Sequence, residues 1–268
     1  MFPSLAVWVV LGVVAVTSAH QYPERVRLDE TVSLVQNLGL DWYIAPIFLG
    51  LPDDESGVVP RCGELYPNGN RLGDYVLLAV PHRKNKGLNK KEIPKWSVCV
   101  AKSDTTLVWE TQTTDPFCVA MSEVGNVGLA EQISRFKFGL RVFDNLGTVI
   151  FSRVWSIDSF PEYDRYGGNF ESEVFSFSPD SRFLIYCFTP YSEESIPMKE
   201  VLWVYDLSTG EEWSMDVGSK KLDIARFQDT SKVKLYFREK WAPGGRFRIE
   251  PNGDRPFKIL DLEARCFQ

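Results

Sequence analysis

Histidine is scarce in this chain of 268 residues, which contains only His20 and His82. A Ser-His-Asp or Cys-His site could therefore use only these two residues. The Gly-x-Ser-x-Gly pattern of serine hydrolases is absent, as are the glycine patterns that bind nucleotide phosphates and the CxxC or Cys/His spacings of zinc sites. The sequence thus offers no recognisable catalytic set, although a glycosidase-like pair of carboxylates could occur among its 36 acidic residues.

Basic residues are outnumbered by acidic ones, which gives a net charge of −6 and a pI near 5.2. No basic face is implied, so we expect no nucleic-acid partner. Hydrophobic residues at 44% and aromatic residues at 13% are typical of an ordered core. The basic run His82–Lys95 is interpreted as a solvated loop between strands, with an electrostatic contact for an acidic partner as the alternative.

The first residues form an uncharged apolar segment centred on Leu5 to Val16, and small residues precede a possible cleavage point after Ala19. This core falls short of the roughly 20 residues needed to span a bilayer. We predict that residues 1–19 are a cleaved signal peptide and that the protein is secreted. An uncleaved anchor is the alternative, because no basic residue precedes the core. No stable membrane span is expected after cleavage, and no Asn-x-Ser/Thr site occurs.

Five cysteines follow the predicted signal peptide. In an oxidising compartment an odd count permits two disulfides and one remaining thiol, and the pairing cannot be deduced from the sequence. Cys187 lies in an apolar run and is the one expected to be buried and unreactive. The five are Cys62, Cys99, Cys118, Cys187 and Cys266.

The stretch Glu173–Trp213 predicts four consecutive antiparallel strands joined by three turns. The run Phe183–Phe188 is almost continuously apolar, as expected for a strand covered on both faces. Pro179–Ser181 and Ser208–Gly210 contain residues that suit tight turns, and a longer turn is expected at Pro190–Pro197. Four short strands in a meander make one blade of a β-propeller.

One blade cannot bury both of its faces alone, so copies of this unit are expected. The third strand and its turn recur as apolar–x–apolar–apolar–Asp. The copies lie around Asp144, Asp206 and Asp261, with a weaker one at Trp96–Trp109, and the first two strands recur in Phe175–Phe188 and Ala225–Phe237. The sequence therefore predicts an all-β protein with a β-propeller-like repeat of about four to five four-stranded antiparallel blades. A sandwich or another meander is the alternative.

The pair FSPDSRFLIY and VLWVYDLSTGEEW resembles blades of the propellers in TolB and in the N-terminal domain of prolyl-oligopeptidase-type peptidases, including dipeptidyl- and acylaminoacyl-peptidases. The resemblance is clearest over Phe138–Phe237 and implies a fold more than a function. In those peptidases the propeller filters substrates while a separate hydrolase domain performs the chemistry. No such domain is recognised here, so the resemblance implies no catalytic residue. The Gly-His and Trp-Asp pairs of WD40 repeats are also absent.

Leu28–Leu40 is the best helix candidate, with Asp29 as a possible cap and Gly39 as a possible end. Its apolar face would be formed by Leu28, Val32, Val35 and Leu38.

Several other segments have weaker signals. Asn126–Lys137 could be a strand or a short helix, and the spacing of its apolar residues favours the helix. The remaining predictions are a strand interrupted by Pro46 at Trp42–Leu51, a loop at Asp53–Asn70, a strand at Tyr75–Val80, and long connections at Ser156–Asn169 and Trp241–Asp254. Their mixture of aromatic and polar residues also suits binding loops. The Pro-Asn-Gly-Asp turn in the second connection lacks the spaced carboxylates of a calcium loop.

Cleavage after Ala19 would leave His20 as the amino terminus. A free α-amine, its imidazole and a second histidine form a reasonable copper site. This resembles the histidine brace of secreted lytic polysaccharide monooxygenases, on His20 alone, with His82 as the candidate second histidine. The blade repeat does not resemble the sandwich of that family.

We predict a signal peptide over 1–19, a helical leader and first strand over 20–60, and a β-propeller-like domain over 61–268. No catalytic, cofactor-binding or metal-binding residue is assigned. The expected function is non-catalytic binding of a protein or carbohydrate ligand through loops at one end of the channel. The alternatives are a secreted enzyme, with a carboxylate pair or copper at His20, and a partial propeller that acts with a partner chain.

Overall fold

The computed structural model describes residues 24–38, 69–81, 95–134, 137–156, 170–190, 200–218, 221–238 and 257–268. Most of these residues lie in antiparallel strands that form four consecutive sheets. Each sheet joins strands that are adjacent in the sequence, so each is a meander, as in a propeller blade. We call the sheets blades 1 to 4 in chain order. The prediction of an all-β, propeller-like repeat is confirmed.

The blades have similar strand lengths but different loops. Blade 1 contains β1 (Glu24–Arg25), β2 (Asn70–Leu72), β3 (Tyr75–Pro81), β4 (Lys95–Lys102) and β5 (Leu107–Thr114). Blade 2 contains β6 (Pro116–Met121), β7 (Val127–Ser134), β8 (Lys137–Phe143) and β9 (Val149–Ser156). Blade 3 contains β10 (Phe170–Phe177), β11 (Phe183–Pro190), β12 (Glu200–Asp206) and β13 (Glu211–Gly218). Blade 4 contains β14 (Lys221–Phe227), β15 (Lys232–Arg238), β16 (Phe257–Asp261) and β17 (Cys266–Phe267).

The core lies between the blades. The first strand of blade 3, β10, contacts the first strands of blades 2 and 4, so the first strands lie side by side. Apolar side chains fill each interface between neighbouring blades. This burial on both faces explains the continuous apolar run of β11, in which Phe183 to Cys187 are all buried. The strands that the structure describes do not close the sheets into a ring.

A helix, α1 (Leu28–Asn37), covers the face of blade 1 that is turned away from blade 2. Leu34 is buried there with Val76 and Leu78 of β3. The predicted helix is confirmed, but its proposed cap is wrong: Arg27 precedes the first turn, and Asp29 lies inside that turn without capping it. The carboxylate of Asp29 still lies at the positive end of the helix dipole.

The recurring aspartate has a physical role in the turn between the third and fourth strands. In each copy one carboxylate oxygen accepts one or two backbone N–H groups of the following residues, which stabilises the reversal of the chain. The bonds run from Leu146 (2.9 Å) and Thr148 (2.8 Å) to Asp144, from Ser208 (2.9 Å) to Asp206, and from Glu263 (3.1 Å) and Ala264 (2.9 Å) to Asp261. The aspartate recurs in the sequence because the same side-chain-to-backbone hydrogen bonds form in each of these turns.

The short helix favoured for Asn126–Lys137 is wrong, because this segment contains strand β7. Val127 and Leu129 are buried against blade 1, while Gly128 faces Phe175 of blade 3. A strand between two blades buries consecutive residues, so its sequence does not show the alternation of apolar and polar residues that identifies a strand with one exposed face.

The other strand predictions have mixed outcomes. The strand at Tyr75–Val80 is confirmed as β3. Asn70, the last residue of the predicted loop, begins β2. The predicted strand at Trp42–Leu51 and the long connections lie outside the described residues, except for Ser156, which ends β9.

No disulfide joins any two of the four cysteines in the described part of the chain. Any set of two disulfides among five cysteines would include at least one such bond, so the structure does not show the two disulfides that the cysteine count permits. Cys99, Cys118 and Cys187 are buried, each in a different blade, whereas Cys266 is exposed. The predicted burial of Cys187 is confirmed. Burial, with a smaller contribution from Glu110, raises the pKa of the Cys99 thiol to about 12.

Among the described residues, no helix has the length and apolar character needed to cross a bilayer.

Candidate interaction surfaces

Glu131, on β7, is a buried carboxylate between blades 1 and 2. One of its oxygens accepts hydrogen bonds from the hydroxyls of Thr113 and Thr114 and from the backbone N–H of Thr114, the last at 2.9 Å. The Nε atom of Arg141 lies 2.6 Å from its other oxygen. A buried charge is tolerated only with such partners. The positive charge of Arg141 compensates the negative charge of Glu131, and the bonds from the two threonines link blade 1 to blade 2.

A second cluster links β9 to blade 3. Arg153 pairs with Glu212 and places its guanidinium 3.7 Å from the centroid of the Trp203 ring. The hydroxyl of Tyr186 donates to the other oxygen of Glu212. Burial, followed by this contact with Glu212, raises the pKa of Tyr186 above its ordinary value. The phenol therefore stays protonated and serves as a donor.

A third cluster lies at the tight turns of blades 3 and 4. Arg182 donates to Asp206 at 2.9 Å within blade 3 and to Glu263 at 2.9 Å in blade 4. Burial alone would raise the pKa of Asp206, but hydrogen bonds from Arg182 and Ser208 outweigh it and lower that pKa. Like the other two clusters, this one joins strands and blades.

None of these clusters matches a predicted metal site. Within the part of the chain that the structure describes, no group of three His, Cys, Asp or Glu residues could hold a metal ion. His20 and His82 lie outside that part, so the histidine brace stays a prediction.

The face of blade 4 that is turned away from blade 3 carries cations and aromatic rings. In β15, Val233, Leu235 and Phe237 are buried against blade 3, so Lys234 and Tyr236 occupy the opposite face. The strand register places Arg226 and Ile259 beside Lys234, and Phe257 beside Tyr236. We call this surface, formed by Arg226, Lys234, Tyr236, Phe257 and Ile259, the blade 4 outer face.

The blade 4 outer face is organised by cation–π contacts. The ammonium of Lys234 lies 3.6 Å from the centroid of the Phe257 ring, and the guanidinium of Arg226 lies 6.0 Å from that of Tyr236. Phe257 nevertheless remains 47% exposed. A sheet face in contact with water needs polar residues for solubility, which explains the charges but not the exposed ring.

The outer edge of blade 2 forms a second surface. Five of the eight large exposed hydrophobic residues in the described part of the chain lie here. Ile133 packs over Gly139, which lies opposite Val154 on β9, so the exposed side chains of Ile133 and Val154 lie near each other. We call this surface the β9 edge; its residues are Ile133, Leu146, Val149, Ile150 and Val154.

Neither surface was predicted as a site from the sequence. The signal for the first is the one-sided alternation of β15, Lys232 to Phe237, which indicates a strand covered on one face only. The signal for the second is the acid-free sequence of β9, VIFSRVWS. The binding loops considered in the sequence, at His82–Lys95, Ser156–Asn169 and Trp241–Asp254, lie almost entirely outside the described residues.

No family model matches the sequence, and no curated protein matches it. Among solved structures, the chain is similar to the β-propeller domain of the Trilobed protease from Pyrococcus furiosus, with 11% identity, a TM-score of 0.43, and coverage of 74% of this chain and 54% of that one. It is also similar to an uncharacterized protein from Listeria monocytogenes EGD-e, with 13% identity, a TM-score of 0.44, and coverage of 78% and 53%. A third similarity is to acylaminoacyl peptidase from Pyrococcus horikoshii, with 9% identity, a TM-score of 0.41, and coverage of 73% and 30%. The chain spans about half or less of the length of these proteins, and the likeness concerns the fold alone.

Proposed function

We propose that the protein is a secreted, non-catalytic binding protein whose blade 4 outer face binds an acidic segment of a partner protein. The observation that carries the proposal is the exposed Phe257 ring beside Lys234 on an outer sheet face. The corresponding face of blade 1 is covered by α1, whereas the blade 4 outer face contributes no buried residue to the apolar clusters of the described chain.

The charges of this surface favour an acidic partner although the whole chain is acidic. Arg226, Lys232 and Lys234 share the face, and the register places one carboxylate, Asp261, beside Lys232. That carboxylate already accepts a hydrogen bond from the side chain of Gln268 at 3.0 Å. The face therefore has an excess of positive charge for a ligand to neutralise.

The spacing of the cations favours an extended ligand. Lys232 and Lys234 are two residues apart on one strand, which places them about 6.8 Å apart. Acidic side chains at alternate positions of an extended peptide have the same spacing. Each exposed ion pair contributes only about 0.2–1 kcal/mol, so the affinity should be modest and should fall with salt.

A fluorescent peptide of alternating glutamate and serine residues tests this function. We expect Arg226→Glu combined with Lys234→Glu to weaken binding at least tenfold, and Phe257→Ser to weaken it by less. Lys137→Glu, at an exposed lysine of blade 2, is the matched control and should leave the affinity unchanged. Equal affinities of the native protein and the double variant would reject the acidic-partner proposal. So would binding of a sulfated polysaccharide at this face in preference to the peptide, which would indicate a carbohydrate ligand.

Secretion is tested separately. Expression in a secretory host should release a protein whose first residue is His20, as determined by N-terminal sequencing. Retention of Met1 on a cell-associated product would contradict the proposed signal peptide.

A further inference from the structure

We infer that the β9 edge pairs with the β9 edge of a second copy of this chain, forming an antiparallel dimer whose two-fold axis passes beside Ser152. This inference is independent of the proposed function, because it concerns a different blade and a different chemistry. It rests on three features of β9: its place in the sheet, its residues and its symmetry.

The first feature is the place of β9 as the last of the described strands of its sheet. Such a strand presents backbone N–H and C=O groups along one side, which can add another strand. The carbonyl of Ile150 accepts a hydrogen bond from the hydroxyl of Tyr205 at 3.3 Å. This contact and the ion pair of Arg153 hold the strand against blade 3.

The second feature is that β9 carries less charge than the other last strands, although a β-bulge at Ile150 interrupts its pairing with β8. Charged residues on an edge normally prevent the addition of a strand. β13 carries Glu211, Glu212 and Asp216, β5 exposes Glu110 and Gln112, and β17 has only two residues. β9 has eight residues, and Arg153 is its only charged residue. It also adjoins the largest group of exposed apolar side chains among the described residues.

The third feature is self-complementarity. When two sheets continue into each other, opposite residues lie on the same face. Pairing centred on Ser152 places Ile150 of each copy opposite Val154 of the other, which gives two apolar pairs flanking a serine pair. The same register places Arg153 opposite Phe151 and keeps the two arginines apart. A register centred on Arg153 would instead oppose like charges, which is destabilising.

A second copy also satisfies the symmetry of soluble assemblies. Most homo-oligomers use closed two-fold interfaces in which the same patch meets itself. Once the two β9 strands pair with each other, neither copy has a β9 edge left to bind a third copy. The pairing therefore stops at a dimer.

Sedimentation velocity at concentrations from about 1 to 100 μM tests the dimer. We expect a dimer that becomes monomeric in Val154→Lys and in Ile150→Lys. Leu107→Lys is the matched control, since Leu107 is 42% exposed and Ile150 is 40% exposed, and it should leave the dimer intact. The Arg226→Glu and Lys234→Glu variant should also remain dimeric, which separates this inference from the proposed function. A native protein that stays monomeric at the highest concentration overturns the inference, as does a dimer that survives Val154→Lys.

The register has its own test. In an antiparallel pair, opposite Cα atoms lie about 4.5–5.5 Å apart, within the range that a disulfide spans. In a Cys62→Ser and Cys266→Ser background, Ser152→Cys should form a covalent dimer under mild oxidation by copper phenanthroline, and Val149→Cys should not. Efficient cross-linking of Val149→Cys but not of Ser152→Cys would overturn the proposed register. Circular dichroism of each variant would establish that it is folded.

Discussion

The guanidinium of Arg182, at the turn between β10 and β11, lies 2.9 Å from the carboxylate of Glu263, at the turn between β16 and β17. The same guanidinium also holds the buried Asp206 of its own blade. A tight turn in blade 3 is thereby fixed to a tight turn in blade 4. The charged residues at this end of the sheets thus add a polar link to the apolar interface between the two blades.

The first prediction concerns the role of Asp206. We expect Asp206→Ala to lower the free energy of unfolding by about 2–3 kcal/mol, less than for a fully buried ion pair because Arg182 is partly exposed. Asp144→Ala removes the same turn aspartate from blade 2, where only backbone groups donate to it, and should cost about 1 kcal/mol. Urea unfolding of both variants measures the difference. Equal losses would show that Arg182 adds nothing to the turn.

The second prediction follows from the lowered pKa of Asp206. An ionised group with a lowered folded-state pKa stabilises the fold above its unfolded pKa, near 3.8, and this stabilisation disappears as the pH falls through the folded pKa. The stability difference between the native protein and Asp206→Asn should therefore be constant above about pH 5 and shrink below about pH 4. Unfolding at pH 7, 5 and 3 provides the comparison. A difference that stays constant down to pH 3 would refute this explanation.

Asp115 should behave in the opposite way. Burial raises the pKa of this carboxyl, so ionisation at neutral pH opposes folding. The stability contributed by the neutral form is complete below the unfolded pKa and is lost as the pH rises through the folded pKa. Asp115→Asn should therefore increase stability at pH 7 and have little effect at pH 3. Destabilisation at pH 7 would mean that the charged carboxylate makes a favourable contact.

The interface between blades 2 and 3 gives a further prediction. A Cβ atom at Gly128 would lie 2.8 Å from Cζ of Phe175 in the next blade. Gly128→Ala should therefore destabilise the protein by about 1–3 kcal/mol, and Phe175→Leu in the same chain should restore part of the loss. Gly139→Ala is the matched control, because its new methyl group would approach the end of the flexible Ile133 side chain and would lie at an ordinary contact distance of 3.4 Å from the backbone oxygen of Arg153. Thermal unfolding of the three variants tests this, and equal costs for the two glycines would contradict the packing.

Blade 3 could be predicted from the sequence because its local signals agree. The apolar run of β11, the turn at Pro179–Ser181 and Gly210, which has a φ of +72°, all favour the same meander. β7 could not be predicted, because Gly128 and Ala130 are buried where two blades approach closely, and this contact is known only after the blades are placed. The sequence likewise could not show that α1 covers blade 1, since an apolar helix face does not identify its partner.

The candidate surfaces required the strand register. Tyr236 and Phe257 are far apart in the chain, and only the pairing of β15 with β16 places them side by side. The arginine partners of Glu131 and Glu212 are also found only in the assembled sheets. Sequence patterns identify which residues alternate within a strand, but they do not identify which strands meet.

The reactivity of Cys266 tests the central claim, that the blade 4 outer face is open and binds acidic segments. Cys266 of β17 is exposed and pairs with Asp261 of β16. Asp261 in turn pairs with Lys232 of β15, so Cys266 lies two strands away from a cation of this face. In a Cys62→Ser background, maleimide should modify Cys266 rapidly, and the alternating glutamate–serine peptide should slow this reaction in low salt. A thiol that is unreactive without the peptide, or equally reactive with and without it, would contradict the account.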